Sequence, residues 1–354
     1  MATAAGAGMT YEHGLVLGKF YPPHAGHHHL VRTAAARCRR LTVLVEAASV
    51  ESIPLADRVQ WMREVHPEVQ VVGTRCDIPV DMADEPIWAA QVAVMRAALG
   101  DVRIDAVFTS EKYGDELARR FGAEHVLVDP ARLNVSVSST AIRADLAGQW
   151  DFLDPVVRSG MAARLVFVGA ESTGTTTVSR LVAEAFRARG GVWARTGWVE
   201  EYGRDYTYVK WRAEGGVLDQ LVWNQDDFDK IAVEQRRRED TAAASGSPLL
   251  VCDTDAFATA VWERRYIGTW RPRDGSGDFY LLTDHVGVPW LDDGLREGDL
   301  AVRARMTAWF TSALQDSGHA WALLTGSLDQ RVDLALKIAE QTLRHRSTFA
   351  EPLG

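Results

Sequence analysis

Short apolar runs alternate with helical patterns along the whole chain, and this alternation limits the folds open to it. "GLVLG", "LTVLVE", "VQVVG", "DAVFTS" and "HVLVD" read as strands. Between them lie "HHHLVRTAAARCRR", "PLADRVQWMREVH", "IWAAQVAVMRAAL" and "YGDELARRF", where apolar residues recur at spacings of three and four. Strand–helix alternation implies parallel strands joined by right-handed crossovers, hence an α/β sheet. The pattern pauses across "GQWDFLDPVVRSGMAA" and restarts with "RLVFVG" at Arg164. It then continues through "PLLVCD", "FYLLTD" and "AWALLTG", with a long helix expected from about Leu218 to Ala244. A chain of 354 residues is longer than one core usually supports. Two α/β domains, 14–157 and 162–345, are expected.

Composition narrows the function classes. With 47% hydrophobic and 25% charged residues, this is a folded, soluble type of chain. A formal charge of −9 gives no positive field to steer nucleic acid or an anionic membrane towards it. No apolar run is long enough to span a bilayer, and "MATAAGAGMTYEH" lacks the basic start and apolar stretch of a signal peptide. Three widely spaced cysteines without a CxxC pair read as thiols in a reducing cytoplasm. Whether copies associate into a homo-oligomer is left open.

"GLVLGKFYPPHAGHHHL" is a strand, a glycine-containing turn, two prolines and a helix beginning near Gly26. The carboxyl end of a strand and the amino end of a helix meet there, where open α/β sheets bind ligands and helix dipoles favour anions. His24 and His27 can both reach one ligand held at that point. Such donors suit stabilisation of charge on a phosphate under in-line attack. A metal cluster is disfavoured, because no Cys or carboxylate stands at ligand spacing. His28 and His29 point elsewhere on the helix and are expected to be ordinary residues, nearly neutral to substitution. About 110 residues later, "VSVSSTAIRADL" opens another helix with Ser138, Ser139 and Thr140 and carries Arg143 one turn on, a second phosphate grip.

G-x-F-x-P-x-H-x-G-H followed by S-S-T-x-I-R resembles the signature pair of the nucleotidylyltransferase superfamily. Residues 14–146 look like a nicotinamide mononucleotide (NMN) adenylyltransferase domain. "LADRVQWMREV" and "VFTSEKYGDELA" are similar to the subgroup fused to a ribosylnicotinamide kinase, the NadR type. The resemblance implies that NMN attacks the α-phosphate of ATP and that magnesium pyrophosphate leaves. It implies an ATP site of Gly18, Phe20, His24, His27, Ser138, Ser139, Thr140 and Arg143, with Lys19 adding positive charge. Trp88, in "DEPIWAAQ", is where a ring is expected to stack on the nicotinamide.

"RLVFV", "GAESTGTT" and "VSRLVAEAF" supply the strand–loop–helix context of a phosphate loop. Gly169 and Gly174 have the required spacing, and Glu171, Ser172, Thr173 and Thr177 complete the segment. Thr176 takes the position that ligates magnesium. Asp253, at the end of "LLVCD", is the Walker-B-like partner. The lysine position is Thr175. A missing point charge of that kind removes on the order of 2–4 kcal/mol of transition-state stabilisation. Another cation, such as Lys210, Arg212 or one of Arg236 to Arg238, would have to close over the phosphates.

"WVEEYGRDY" and "YLLTDHVGVPWLDDGLRE" are similar to the kinase half of the same family. Carried over by position, Glu201, Tyr202, Arg204, Trp290, Asp292, Asp293 and Arg296 would line or cover the riboside site. The chain is thus expected to be a Rossmann-like nucleotidylyltransferase sheet followed by a P-loop sheet, acting on NMN, nicotinamide riboside and ATP with Mg2+. Three alternatives stay open: a P-loop domain that only senses nucleotide, a fused phosphopantetheine adenylyltransferase and dephospho-coenzyme-A kinase, and a regulator. The "PWLDDGLR" and "VFTSEKYG" stretches disfavour the second. The acidic charge and the short stretch before Gly14 disfavour a DNA-binding repressor.

Overall fold

In the computed structural model, the described residues are 11–79, 81, 83–217, 220–288 and 300–353. They form two compact units, residues 11–160 with 348–353, and residues 161–347.

The first unit runs β1 (Tyr11–Gly18), α1 (Ala25–Ala35), β2 (Cys38–Ala47), α2 (Leu55–Val65), β3 (Gln70–Arg75), α3 (Glu85–Leu99), β4 (Ala106–Thr109), α4 (Gly114–Phe121), β5 (Glu124–Leu127), α5 (Ser139–Ala144) and α6 (Pro155–Met161). Its five strands are parallel in the order β3-β2-β1-β4-β5, with Val16 beside both Val43 and Phe108. The order reverses between β1 and β4, which opens a crevice at their carboxyl ends. Val16, Val31, Val43 and Phe108 pack one face of the sheet, and Leu15, Leu44, Met95 and Val107 the other. Burial on both faces explains why these strands read as continuous apolar runs.

The second unit contains β6 (Ala163–Gly169), α7 (Thr175–Arg187), β7 (Gly197–Val199), α8 (Tyr202–Glu214), α9 (Gln225–Ser245), β8 (Leu249–Asp253), α10 (Ala256–Ile267), β9 (Phe279–Thr283), α11 (Leu300–Ser317), β10 (Trp321–Leu324) and α12 (Leu328–Arg346). These strands too are parallel, in the order β10-β9-β6-β8-β7. Phe167, Val182, Phe186 and Leu281 are among the residues of its separate core.

The long helix begins later than its apolar spacing predicts. Asn224 accepts from the Asp227 N–H at 3.2 Å, and the Asp227 carboxylate accepts from the Asn224 N–H at 2.9 Å. This reciprocal cap fixes the start of α9 at Gln225. The three-residue strand β7 and the helix α8 were not foreseen, since neither carries a long periodic pattern.

Candidate functional site

In the first unit, the turn after β1 delivers His24 to the amino end of α1. His24 is the N-cap, with extended backbone, and its Nδ1 accepts from the Gly26 N–H at 3.1 Å. That bond leaves the ring proton on Nε2. A Cβ at residue 26 would lie 3.1 Å from the His24 ring, so the glycine allows the imidazole to fold against the helix. The His27 ring stacks on His24 at 3.7 Å, and the Phe20 edge meets it at 4.8 Å.

Burial, with a smaller contribution from the positive charge of Arg132, pushes His24 down to about 3. His27 lies well below its usual value through burial first, then through His24, His28 and Arg132. Both rings are therefore neutral at pH 7 and act as hydrogen-bond donors, with no cationic charge before a ligand arrives.

These histidines line a cleft with Ser138, Ser139, Thr140 and Arg132. The Ser138 hydroxyl caps α5 by accepting from Ala141 N–H at 3.1 Å, and Ser139 donates to the Pro22 carbonyl at 3.3 Å. The two sequence-predicted grips thus come together. Arg132 went unrecognised in the sequence, because a single arginine in "DPARLN" has no periodic or motif context. His29, expected to point elsewhere, also lines this cleft.

Other expected residues are placed differently. Arg143 donates to the Tyr21 carbonyl at 2.9 Å and covers its ring, bracing the turn. The Lys19 ammonium lies 3.5 Å from Glu51 and donates to the Leu353 carbonyl. Neither lines the cleft. Trp88 is 5% exposed, packed in the core with Leu15, Leu44 and Met95, and the Arg120 guanidinium lies over its ring. It has no open face for a nicotinamide, and the stacking expectation is corrected. His28 is likewise no surface residue. It is buried, and its Nδ1 is 2.9 Å from Nε2 of His66.

In the second unit, β6 ends at Gly169 and the loop turns through Ser172 (φ 53°) and Gly174 (φ 93°) into α7. Alternation of this kind forms an anion-binding concavity of backbone N–H groups. Thr173 donates to the Ala170 carbonyl at 2.7 Å and lies 2.6 Å from the Thr283 hydroxyl, which fixes the loop against β9. Thr176 donates to Asp253 at 2.6 Å. A hydroxyl and a carboxylate so close, at the mouth of an open cleft, are hard oxygen ligands that suit Mg2+. The cleft also contains Ser172, Gly174, Thr175 and Thr177. Glu171 is buried.

The cations that sequence offered as replacements for lysine are mostly engaged elsewhere. Lys210 is buried between Asp227 at 3.1 Å and Glu214 at 2.6 Å. Arg237 pairs with Glu234, and Arg238 with Glu234 and Asp205.

A second cavity adjoins the first, because Glu201, Arg204, Thr254 and Trp262 line both. Its walls are aromatic: Trp223 and Tyr266 are 5.2 Å apart, and Trp223 and Phe228 5.5 Å. Of the residues expected at a riboside site, Glu201 and Arg204 line both cavities. Tyr202 does not, since its ring lies under Arg238 and its N–H donates to Gln235, and it lines neither cavity. Trp290, Asp292, Asp293 and Arg296 lie outside the described residues. Trp262 and Tyr266 were missed, although with Thr259 they recur at three and four along α10. Asp255 caps that helix through Ala258 at 3.1 Å and accepts from Tyr280 at 2.6 Å.

A family model described as an AAA domain matches residues 164–331, the P-loop unit. Over 306 residues, covering 80% of this chain and 71% of its relative, the sequence is 26% identical to the trifunctional NAD biosynthesis/regulator protein NadR of Escherichia coli (strain K12). The chain is a homologue of NadR. The NadR of Salmonella typhimurium (strain LT2) is 25% identical over the same shares. A crystal structure of NadR with NR covers 95% of this chain and 98% of its own, with a TM-score of 0.61 at 20% identity. NadR with NAD and AMP-PNP gives 94%, 97%, 0.60 and 19%. The fold is therefore that of NadR in both units.

Proposed function

We propose that this chain makes NAD in two steps, phosphorylation of nicotinamide riboside in its P-loop unit and adenylyl transfer from ATP to the resulting NMN in its amino-terminal unit. The observation that carries the reading is the stacked pair of buried His24 and half-buried His27, both neutral and lining one cleft with Ser138–Thr140 in a NadR homologue. In the first unit, an NMN phosphate oxygen attacks the α-phosphorus of ATP, and the bond to the β-phosphate oxygen breaks to release pyrophosphate. His24 Nε2–H and the His27 ring hold charge that builds on the phosphate oxygens, and the proximity of phosphate raises their affinity for a proton. Arg132 and the hydroxyls of Ser138 and Thr140 position the triphosphate. Lys19, Gly18, Phe20 and Arg143 shape the turn that carries the histidines.

In the second unit, the aromatic walls suit a flat pyridinium cation, which stacks on electron-rich rings. Glu201 and Arg204 stand between the riboside cavity and the phosphate loop. The carboxylate accepts the proton of the riboside 5′-hydroxyl as that oxygen attacks the γ-phosphorus, the bond to the β-phosphate oxygen breaks and ADP leaves, and the guanidinium meets the transferred charge. Thr176 and Asp253 would hold Mg2+, which supplies charge neutralisation between the β- and γ-phosphates. Three unpaired thiols, Cys38, Cys76 and Cys252, fit work in the cytoplasm, and no described helix is long and apolar enough to cross a membrane.

The test is to supply ATP with nicotinamide riboside, then with NMN, and to follow NMN, NAD and pyrophosphate separately. NAD and pyrophosphate formed in equal amounts from NMN support the first step. NMN appearing from riboside supports the second. Absence of NAD from NMN under saturating Mg2+ and ATP overturns the reading. The residue Thr175 favours one alternative for the second unit, a nucleotide sensor, in which ATP binds and no riboside is phosphorylated.

A further inference from the structure

The phosphate loop lacks its lysine, yet two buried arginines reach it from behind. Arg303 Nη2 donates to the Ser172 carbonyl at 3.0 Å, and Arg331 Nη1 donates to the Thr173 carbonyl at 3.1 Å. Both side chains are 3% exposed. They come from different helices, α11 and α12, and converge on two successive carbonyls of one loop. Arg331 is anchored further by the carbonyls of Asp284 at 3.0 Å and Gly326 at 3.0 Å. Its Nη2 is buried with no hydrogen-bond partner among the described residues, and the residue lines the nucleotide cleft with Thr173, Gly174 and Thr175.

A loop carbonyl held outward by a guanidinium leaves its peptide dipole with the positive end towards the cavity. The positive φ values of Ser172 and Gly174 turn successive peptides the same way. An arginine stays protonated even where burial disfavours charge. Two full positive charges therefore stand on the carbonyl side of the loop, that of Arg331 at the wall of the cleft. A lysine there would bring one charge in from the front.

We propose that Arg331, assisted by Arg303, supplies from behind the loop the positive charge that Thr175 does not, so that the β- and γ-phosphates of a nucleoside triphosphate are held by polarised loop amides. Both act as positioning residues, through the loop. The inference rests on the nucleotide-binding reading of this unit, but it does not require riboside turnover.

Equilibrium binding of ATP and AMP to the full chain, with Mg2+, separates the two. Arg331→Gln should weaken ATP by about 10- to 100-fold, the range for one lost charge-assisted bond, and leave AMP within about threefold. Thr175→Lys added to Arg331→Gln should restore most of the loss, because the charge returns from the front. A loop merely distorted by the substitution would not be rescued in that way. Arg331→Lys, which keeps the charge, should lose less than Arg331→Gln.

Equal losses of ATP and AMP, or no rescue by Thr175→Lys, overturn the proposal. So does rescue of Arg204→Gln in place of Arg331→Gln, which would put the charge on the riboside side. A gain in ATP affinity of more than about tenfold in Thr175→Lys alone would show that the charge was missing, and overturns the proposal as well. If ATP binding behaves as expected while riboside is never phosphorylated, this inference stands and the kinase reading falls.

Discussion

His27 and His28 are neighbours in sequence with opposite surroundings. His27 stacks on His24 at the cleft, and His28 points into the core against His66. His27→Ala is therefore expected to lower adenylyl transfer by about 10²-fold or more with the melting curve retained, measured as pyrophosphate release. His28→Ala should act through stability, by about 1–3 kcal/mol, because the His66 ring keeps a buried nitrogen without its partner. Denaturant titration checks it, and an unchanged midpoint would count against the buried pair. His24→Ala combines both effects, since it also removes the α1 cap. The HxGH pair was legible because the geometry is local: strand end, cap and first helical turn lie within ten residues, Gly18 to His27. Trp88 was not, because the packing of Leu15, Leu44 and Met95 around it decides its exposure, and those residues come from β1, β2 and the far end of α3.

At the scale of elements, α1 carries a pH liability. Burial depresses His24 and His28 to about 3 from an ordinary 6.5. Both bind protons more readily in the unfolded chain. The stability they contribute is therefore present in full above about pH 6.5 and is lost progressively as pH falls towards 3. Unfolding of the first unit, followed between pH 7 and 4, should become easier across that window, and less so in the His28→Ala variant. On α10, Thr259, Trp262 and Tyr266 line the aromatic cavity proposed above for the riboside. Tyr266→Ala is expected to raise the KM for nicotinamide riboside about tenfold and leave the KM for ATP nearly unchanged. A shift in both, or in neither, would remove Tyr266 from that site. The spacing on α10 was available in sequence. Trp223, which completes the cage, precedes α9 outside any periodic element and reaches Tyr266 only through tertiary packing.

At the scale of the whole molecule, every residue of the two apolar clusters around the first sheet lies between Tyr11 and Val128, and the cluster of the second unit lies between Ala163 and Leu343. Each unit thus has a core of its own, the condition for folding alone. Residues 348–353 group with the first unit, which no strand or helix period in the sequence announced. Tyr21 donates to the Ala350 carbonyl at 3.0 Å, the Ala350 N–H donates to Ser52 at 2.8 Å, and the Phe349 ring meets Tyr21 at 5.9 Å. A fragment ending at Gly160 should therefore fold and form NAD from NMN and ATP, but with less stability than the same unit in the full chain. Three hydrogen bonds, counting that of Lys19 to the Leu353 carbonyl, and one aromatic contact are missing from it, a deficit of about 2–4 kcal/mol. The full chain truncated after Ser347 separates the two causes, because it keeps both cores and lacks only the segment. It should show the same deficit in the unfolding of the first unit and none in the second. An isolated fragment as stable as the intact unit would mean that the segment contributes nothing to it. A soluble, folded fragment without NAD formation would mean that the adenylyltransferase site is not complete within residues 1–160.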